Sequence, residues 1–244
     1  MISYRGFTKD FGTVRAVDGI DLDVAPGETV ALIGPNGSGK TTTLKALVGL
    51  VRPTTGVVTI GGADATTSGP AARARLGYLP QRLTFPEGAT AREVVHYFAR
   101  LRQLEDVREV ALLGRVGLAA AATREVDGFS GGMRQRLGLA LALLGDPAAL
   151  VLDEPSAALD PSGALMVRDI LADIRRAGTT ILLSSHDLGE VAALADRIAV
   201  FVAGRIVAAG PLAALEAECG CRGIEQVYRA LSSGLRAERV RSAA

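Results

Sequence analysis

The stretch Thr29-Val30-Ala31-Leu32-Ile33-Gly34-Pro35-Asn36-Gly37-Ser38-Gly39-Lys40-Thr41-Thr42 decides how this chain reads. Thr29 to Ile33 is one continuous apolar run that stops at glycine, as a strand buried on both faces does. Gly34 to Thr41 then fits G-x-x-x-x-G-K-[ST], and a helical run from Thr41 to Leu50 follows, which is the context that pattern needs. Glycines let backbone N–H groups turn inward around phosphate oxygens, and the helix N-terminus adds a favourable dipole. In such a loop Lys40 reaches β- and γ-phosphates and the Thr41 hydroxyl ligates Mg²⁺. The plainer alternative is a glycine turn with a solvent-facing lysine.

Working outward, Ile2 to Thr8, Ala16 to Val24 and Thr55 to Ile60 read as strands before and after this core. The middle is helical in periodicity: Thr90 to Leu104, Asp106 to Val116 and Gly132 to Leu144. Strand character returns at Ala149 to Leu152, Thr179 to Leu183 and Ile198 to Val202, with helices at Pro161 to Arg176 and Asp187 to Leu194. Apolar strands alternating with helices predict an α/β fold with a largely parallel sheet. Ala203-Gly204 predicts a hairpin turn at the far edge.

Leu150-Val151-Leu152-Asp153-Glu154-Pro155 is the second chemical feature. A buried apolar strand that delivers two carboxylates at its end needs a reason, because burying charge is costly. A cation and a nucleophile supply one: Asp153 to hold Mg²⁺, Glu154 to polarise an attacking water as general base. A strand end simply meeting solvent is the alternative.

The third feature is Phe129-Ser130-Gly131-Gly132-Met133-Arg134-Gln135-Arg136, a second glycine turn opening a helix, without a lysine of its own. Ser130 is a good N-cap, and Ser-Gly-Gly before a long helix also offers backbone N–H groups to an anion.

These three motifs, in this order and spacing, make residues 1 to about 215 resemble an ATP-binding-cassette (ABC) transporter ATPase. The resemblance implies a P-loop NTPase core, an N-terminal antiparallel β subdomain and an inserted α-helical subdomain at about 85–145. The cassette itself would run 1–216, with a helical tail at 217–244. ATP and Mg²⁺ are the implied cofactors, with Gly34, Pro35, Asn36, Gly37, Ser38, Gly39, Lys40, Thr41 and Thr42 around the phosphates. Carried over residue by residue, Phe11 matches the aromatic that stacks on adenine, where the family more often has tyrosine. Gln81 in Leu79-Pro80-Gln81 matches the glutamine that senses Mg²⁺ and the attacking water. Asp160 matches the loop that crosses to a partner subunit, and His186 in Ser184-Ser185-His186-Asp187 the histidine at the γ-phosphate. Each has a bland alternative: Phe11 as a core aromatic, Gln81 as a surface polar residue, Asp160 as an N-cap, His186 as structural. His96 carries no such match and reads as structural.

The family also implies a head-to-tail dimer, in which Ser130, Gly131 and Gly132 complete the partner's ATP site, and an integral membrane permease. Arg82 to Val95, with Leu83, Phe85 and Pro86, is where the family receives that permease. The continuation of the Ser130-Gly131-Gly132 signature, Gly132-Met133-Arg134-Gln135-Arg136-Leu137, resembles that of two-component exporters more than that of solute importers. Leu76 to Pro80, Leu83 to Phe85, His96 to Leu101 and Gly132 to Pro147 resemble the ATPase of the transporter that matures the copper site of nitrous oxide reductase. The rivals are a non-transport cassette acting in translation or DNA repair, and another P-loop class such as a nucleotide kinase.

Composition sets bounds on all of this. In 244 residues the net charge is +1, so no basic footprint for nucleic acid is expected. The N-terminus lacks the apolar core of a secretory signal. No run approaches the roughly 20 apolar residues of a spanning helix, so the chain is expected to be soluble, cytoplasmic, and peripheral on the inner membrane face through its permease. Cys219 and Cys221 read as two ordinary thiols with no disulfide framework, rather than a soft-metal site. Ile224, Val227, Tyr228 and Leu231 fall on one helical face, and Arg236, Arg239 and Arg241 read as solvated.

Overall fold

The computed structural model describes residues 1–232. In chain order it begins with β1 (Ile2–Phe11), β2 (Val14–Val24), β3 (Thr29–Ile33), α1 (Lys40–Leu47), β4 (Thr55–Ile60), β5 (Ala63–Asp64) and α2 (Gly69–Arg73). Next come β6 (Leu76–Leu79), α3 (Ala91–Leu101), α4 (Glu109–Arg115), α5 (Gly131–Ala142), β7 (Ala149–Asp153) and α6 (Pro161–Arg176). β8 (Thr180–Ser184), α7 (Leu188–Leu194), β9 (Arg197–Val202), β10 (Arg205–Gly210) and α8 (Leu212–Cys219) follow. Two compact units result among the described residues: 1–74 with 182–232, and 75–181. β8 straddles their boundary.

In the first unit β2-β1-β4-β5 form an antiparallel sheet. Its register puts Tyr4 opposite Leu22 on one side and Val58 on the other, so alternate residues Ile2, Tyr4, Leu22, Val24, Val58 and Ile60 are buried together. The buried Tyr4 hydroxyl donates to the Thr43 carbonyl at 3.0 Å, tying this sheet to α1. A second sheet of this unit runs β10-β9-β3-β8. β3 and β9 are parallel, with Val30 opposite Arg197 and Ile33 opposite Val200. The β9–β10 turn is the one expected: Ala203 and Gly204 both have positive φ, 51° and 87°, the handedness a two-residue hairpin needs.

In the second unit β8-β7-β6 continue in strand order, β6 and β7 being parallel with Leu76 opposite Ala149 and Leu79 opposite Leu152. Gly77 is required on β6, since a Cβ there would lie 1.9 Å from the Ala142 carbonyl oxygen of α5. α3 opens with a capping box between Thr90 and Glu93. The guanidinium of Arg102 donates to the carbonyls of Leu144 and Leu76 at 2.9 and 3.1 Å.

β3, β4 and α6 keep the bounds read from the sequence. β5, β6, α2 and α8 were not anticipated; the first three are too short to declare a period. α1 stops at Leu47, short of Leu50, where Gly49 takes a φ of 77°. The two cysteines differ from expectation: Cys219 and Cys221 are joined in a disulfide. Gly220, left-handed at φ 64°, caps α8 and folds the chain back, bringing the two Cα atoms to 5.4 Å, inside the range a disulfide spans. Residues 224–232 are helical with Ile224 and Val227 buried; Arg236, Arg239 and Arg241 lie outside the described residues. Among the described residues no helix is long and apolar enough to cross a membrane.

Candidate functional site

The phosphate-type loop belongs to the first unit. Gly34 has no room for a side chain, since a Cβ would meet the Phe201 carbonyl oxygen at 2.3 Å, and Gly39, at φ 107°, would meet that of Ala16 at 2.6 Å. Only glycine therefore lets the chain leave β3 and enter α1 this tightly. Pro35, Asn36 and Gly37 are exposed at the tip, whereas Ser38, Gly39 and Lys40 are buried and Thr41 and Thr42 half-buried. The hairpin tip backs the loop, with the Gly204 N–H donating to the Ser38 carbonyl at 3.0 Å.

Three features of this loop suit an anion. The Lys40 ammonium folds over the loop, donating to the Gly34 and Pro35 carbonyls at 2.7 and 3.2 Å. The buried Ser38 Oγ has no hydrogen-bond partner among the described residues. No side chain caps α1, whose N-cap is Gly39, and a helix N-terminus without a side-chain cap is a place that suits an anion. The orphaned hydroxyl and the side-chain-free cradle fit phosphate groups, and Thr41 adds a hydroxyl oxygen of the hard kind that Mg²⁺ takes.

Phe11 ends β1 with half its surface exposed, and the Lys9 ammonium stands 4.9 Å from its ring centroid. It is not a core aromatic. His186 is exposed just past β8. The turn carrying it is braced: Ser185 Oγ donates to Glu190 at 2.6 Å and accepts from the Asp187 N–H at 3.1 Å. Asp187 caps α7, accepting from the amides of Gly189 and Glu190.

The second unit holds the carboxylates. Asp153 and Glu154 are both buried at the end of β7. Glu154 has a φ of 57°, left-handed for a residue with a side chain, a strain of roughly 1–3 kcal/mol of the kind that persists where surroundings over-determine it. Those surroundings include Gln135, whose buried amide nitrogen donates to the carbonyls of Glu154 and Pro155, both at 3.1 Å. Tyr78 of β6 has its phenol pushed up to about 12, by burial first and then by the Asp153 carboxylate. Gln81 is exposed two residues beyond β6.

Ser130 caps α5, accepting from the Met133 N–H at 3.2 Å. Gly131 and Gly132 pack on the loop before α6: a Cβ on Gly132 would come within 3.2 Å of Leu159 Cδ2. Asp160 caps α6, and the Gly163 amide, with the Ser162 hydroxyl, holds its carboxyl below the usual range. Ser130, Gly131, Gly132 and Asp160 line one hollow of about 500 Å³.

The structure thus gathers Gly34 to Thr42 in one loop and Ser130 to Gly132 with Asp160 around one hollow, and sets Asp153 beside Glu154. Sequence reading passed over Gln135, Tyr78, Ser185 and Glu190. A polar residue at a helical position facing apolar neighbours was the available signal for Gln135 and Glu190.

The ABC transporter family pattern matches residues 17–157. Daunorubicin resistance ATP-binding protein DrrA3 of Streptomyces coeruleorubidus is 40% identical over 232 residues, covering 93% of this chain and 73% of its own. A Nod factor export ATP-binding protein I of Burkholderia orbicola is 38% identical over 242 residues, covering 97% and 79%. A solved ATP binding subunit of an ABC transporter superposes with a TM-score of 0.86 at 26% identity, over 95% of this chain and 99% of that one. An ATP-binding cassette solved as a dimer in a post-hydrolysis state with ADP and Pi gives 0.80 at 25% identity, over 87% and 99%. On sequence, fold and motif alike, the chain belongs to the ABC transporter family, as one of its ATP-binding, ATP-hydrolysing subunits.

Proposed function

We propose that this subunit drives an exporter by closing with a second copy of itself around two ATP molecules and passing that motion to a membrane permease. The observation that carries the reading is the presence of two different glycine-opened helix N-termini in one chain. One, at Gly34 to Thr42, has a lysine and an orphaned buried hydroxyl. The other, at Ser130 to Gly132, has no lysine of its own, and sits in a hollow of about 500 Å³. The second is an incomplete anion site, which a nucleotide held by another subunit's loop completes. A symmetric pair makes two such sites. The dimeric cassette solved with ADP and Pi supports this arrangement by analogy.

In this reading Phe11 offers its exposed ring to the adenine, and Lys40 with the loop amides holds the phosphates. Thr41 and Asp153 would hold Mg²⁺, with Gln81 beside it, the ion neutralising phosphate charge when bound. Glu154 takes the proton of the attacking water as that water's oxygen bonds to the γ-phosphorus and the bond to the β-phosphate oxygen breaks. His186 donates to the γ-phosphate, and Asp160 meets the partner. Loss of phosphate removes the donors' shared ligand and lets the pair open. The cassette is read as 1–216, with its inserted helices at about 85–145 and the tail from 217 apart from the chemistry.

Arg82 to Val95 is the proposed seat of the permease, on the cytoplasmic face; Leu83 and Phe85 there are half-buried and Pro86 exposed. The relatives are named for daunorubicin and doxorubicin resistance and for Nod factor export, which supports export over a role in translation or DNA repair. Export is proposed here without a named cargo. Affinity purification of the tagged full chain from solubilised membranes tests the reading. Recovery of an integral membrane protein that raises ATP turnover is expected. Recovery of ribosomes or DNA-repair proteins instead would overturn it.

A further inference from the structure

We propose that Gln135 is a positioning residue that holds the general base Glu154 in place and makes its geometry depend on the signature end of α5. The inference rests on the proposed roles of Glu154 and Ser130 and extends them to a side chain touching neither ATP nor water. Gln135 is 6% exposed, and its single amide nitrogen donates to two successive carbonyls, those of Glu154 and Pro155. The Glu154 carbonyl also accepts from the Ala157 N–H at 3.1 Å, so the backbone around the base is held from two sides. Glu154 needs that restraint. Its backbone is left-handed, and Ala158 further along the same loop is too, at φ 67°. Two residues with side chains in that region within five positions make a segment that springs elsewhere when released.

The same helix carries Ser130 at its N-cap and Gln135 about 7 Å further along its axis. A helix over that length moves as a rigid body, so a displacement of its N-terminus reaches the Glu154 backbone undiminished. Gly131 and Gly132 pack on Ala158 and Leu159 of the same loop. In the proposed dimer Ser130 meets the ATP held by the partner, whereas Glu154 serves the ATP held by its own chain. Gln135 thereby joins one ATP site to the base of the other.

The test is ATP hydrolysis by the purified full chain carrying Gln135→Met, which keeps length and apolar volume and removes both donors. Its kcat is expected to fall between about tenfold and a hundredfold, the cost of displacing a reacting group by an ångström or less. The KM for ATP should stay within about twofold, the mark of an interaction used only in the chemical step. Should Gln135→Met not fold, as judged by its melting curve, Gln135→Asn carries the same test with a neutral amide one methylene short. A folded variant that turns over at the parent's rate overturns the proposal. So does a kcat loss matched by an equal loss in ATP affinity, which indicates general loosening. The link to the signature is read by adding Ser130→Ala: coupled residues give a double loss smaller than the product of the single ones, and independent residues give the product. Glu154→Gln separates the layers. If that variant hydrolyses ATP normally, the base assignment itself has failed; if it is inactive while Gln135→Met is at the parent's rate, only the present inference has.

Discussion

Ser185 donates its hydroxyl proton to the buried carboxylate of Glu190 at 2.6 Å, one residue before the exposed His186. The same hydroxyl oxygen accepts from the Asp187 N–H, so the turn presenting His186 is fixed on both flanks by one side chain that is itself fixed from α7. Replacing Glu190 with alanine leaves the Ser185 hydroxyl buried without its acceptor, costing about 1–3 kcal/mol of stability. It should also lower kcat by roughly tenfold with less effect on ATP affinity, because His186 is misplaced rather than lost. Melting curves and steady-state phosphate release check both. An unchanged kcat would remove His186's turn from the account of catalysis.

Lys40 folds over its own loop, onto the Gly34 and Pro35 carbonyls, so the ammonium is close by before any phosphate arrives. Lys40→Met removes a charge-assisted donor worth about 1.5–3 kcal/mol, and ATP affinity should fall by roughly ten- to a hundredfold. Calorimetric titration with the nucleotide reads this directly, and circular dichroism should show the fold intact.

Asp160 offers a pH test. Its carboxyl is held below the ordinary range, first by the Gly163 amide and then by the Ser162 hydroxyl. A folded-state value lowered below the unfolded one means that the stabilisation is present above the unfolded value, near 3.9, and is lost as pH falls through the lowered one. The gap in melting temperature between the parent and Asp160→Ala should be full at neutral pH and shrink below about pH 4. A gap that stays constant into acid would mean that the cap contributes nothing through its charge.

Gly77→Ala tests packing rather than chemistry. The added methyl would sit 1.9 Å from the Ala142 carbonyl oxygen, which is backbone, and 2.7 Å from Leu150 Cδ2, so little can give. A destabilisation of about 3 kcal/mol or more is expected, at the upper end for overpacking, measured by denaturant unfolding of the full chain.

The comparison of sequence and structure follows the range over which each feature is determined. β3, β4 and α6 were legible with their ends, because each is bounded locally: glycine after β3, Gly61-Gly62 after β4, Asp160-Pro161 before α6. The four-residue β6 was not, since its strand character comes from pairing with β7, about seventy residues further on. Of the site, the glycines of the phosphate loop were legible from their spacing, and the geometry supplies the reason through Phe201 and Ala16, far away in the chain. Gln135, Ser185 and Glu190 were not, because each acts by bonding to backbone or to another side chain that no local pattern connects to it. The pairing of Cys219 with Cys221 turned on the left-handed Gly220 between them, which sequence alone offers only as a tolerance of glycine.

The central claim is that Glu154 is the base of an ATP site closed by two copies of the chain. Glu154→Gln with ATP tests it most directly, with phosphate release and molar mass by light scattering recorded on the same sample. Hydrolysis should fall at least about a hundredfold, the lower end of what a general base contributes, while an ATP-dependent dimer accumulates that the parent shows only in passing. A variant that releases phosphate at the parent's rate, or stays monomeric with ATP bound, would contradict the account.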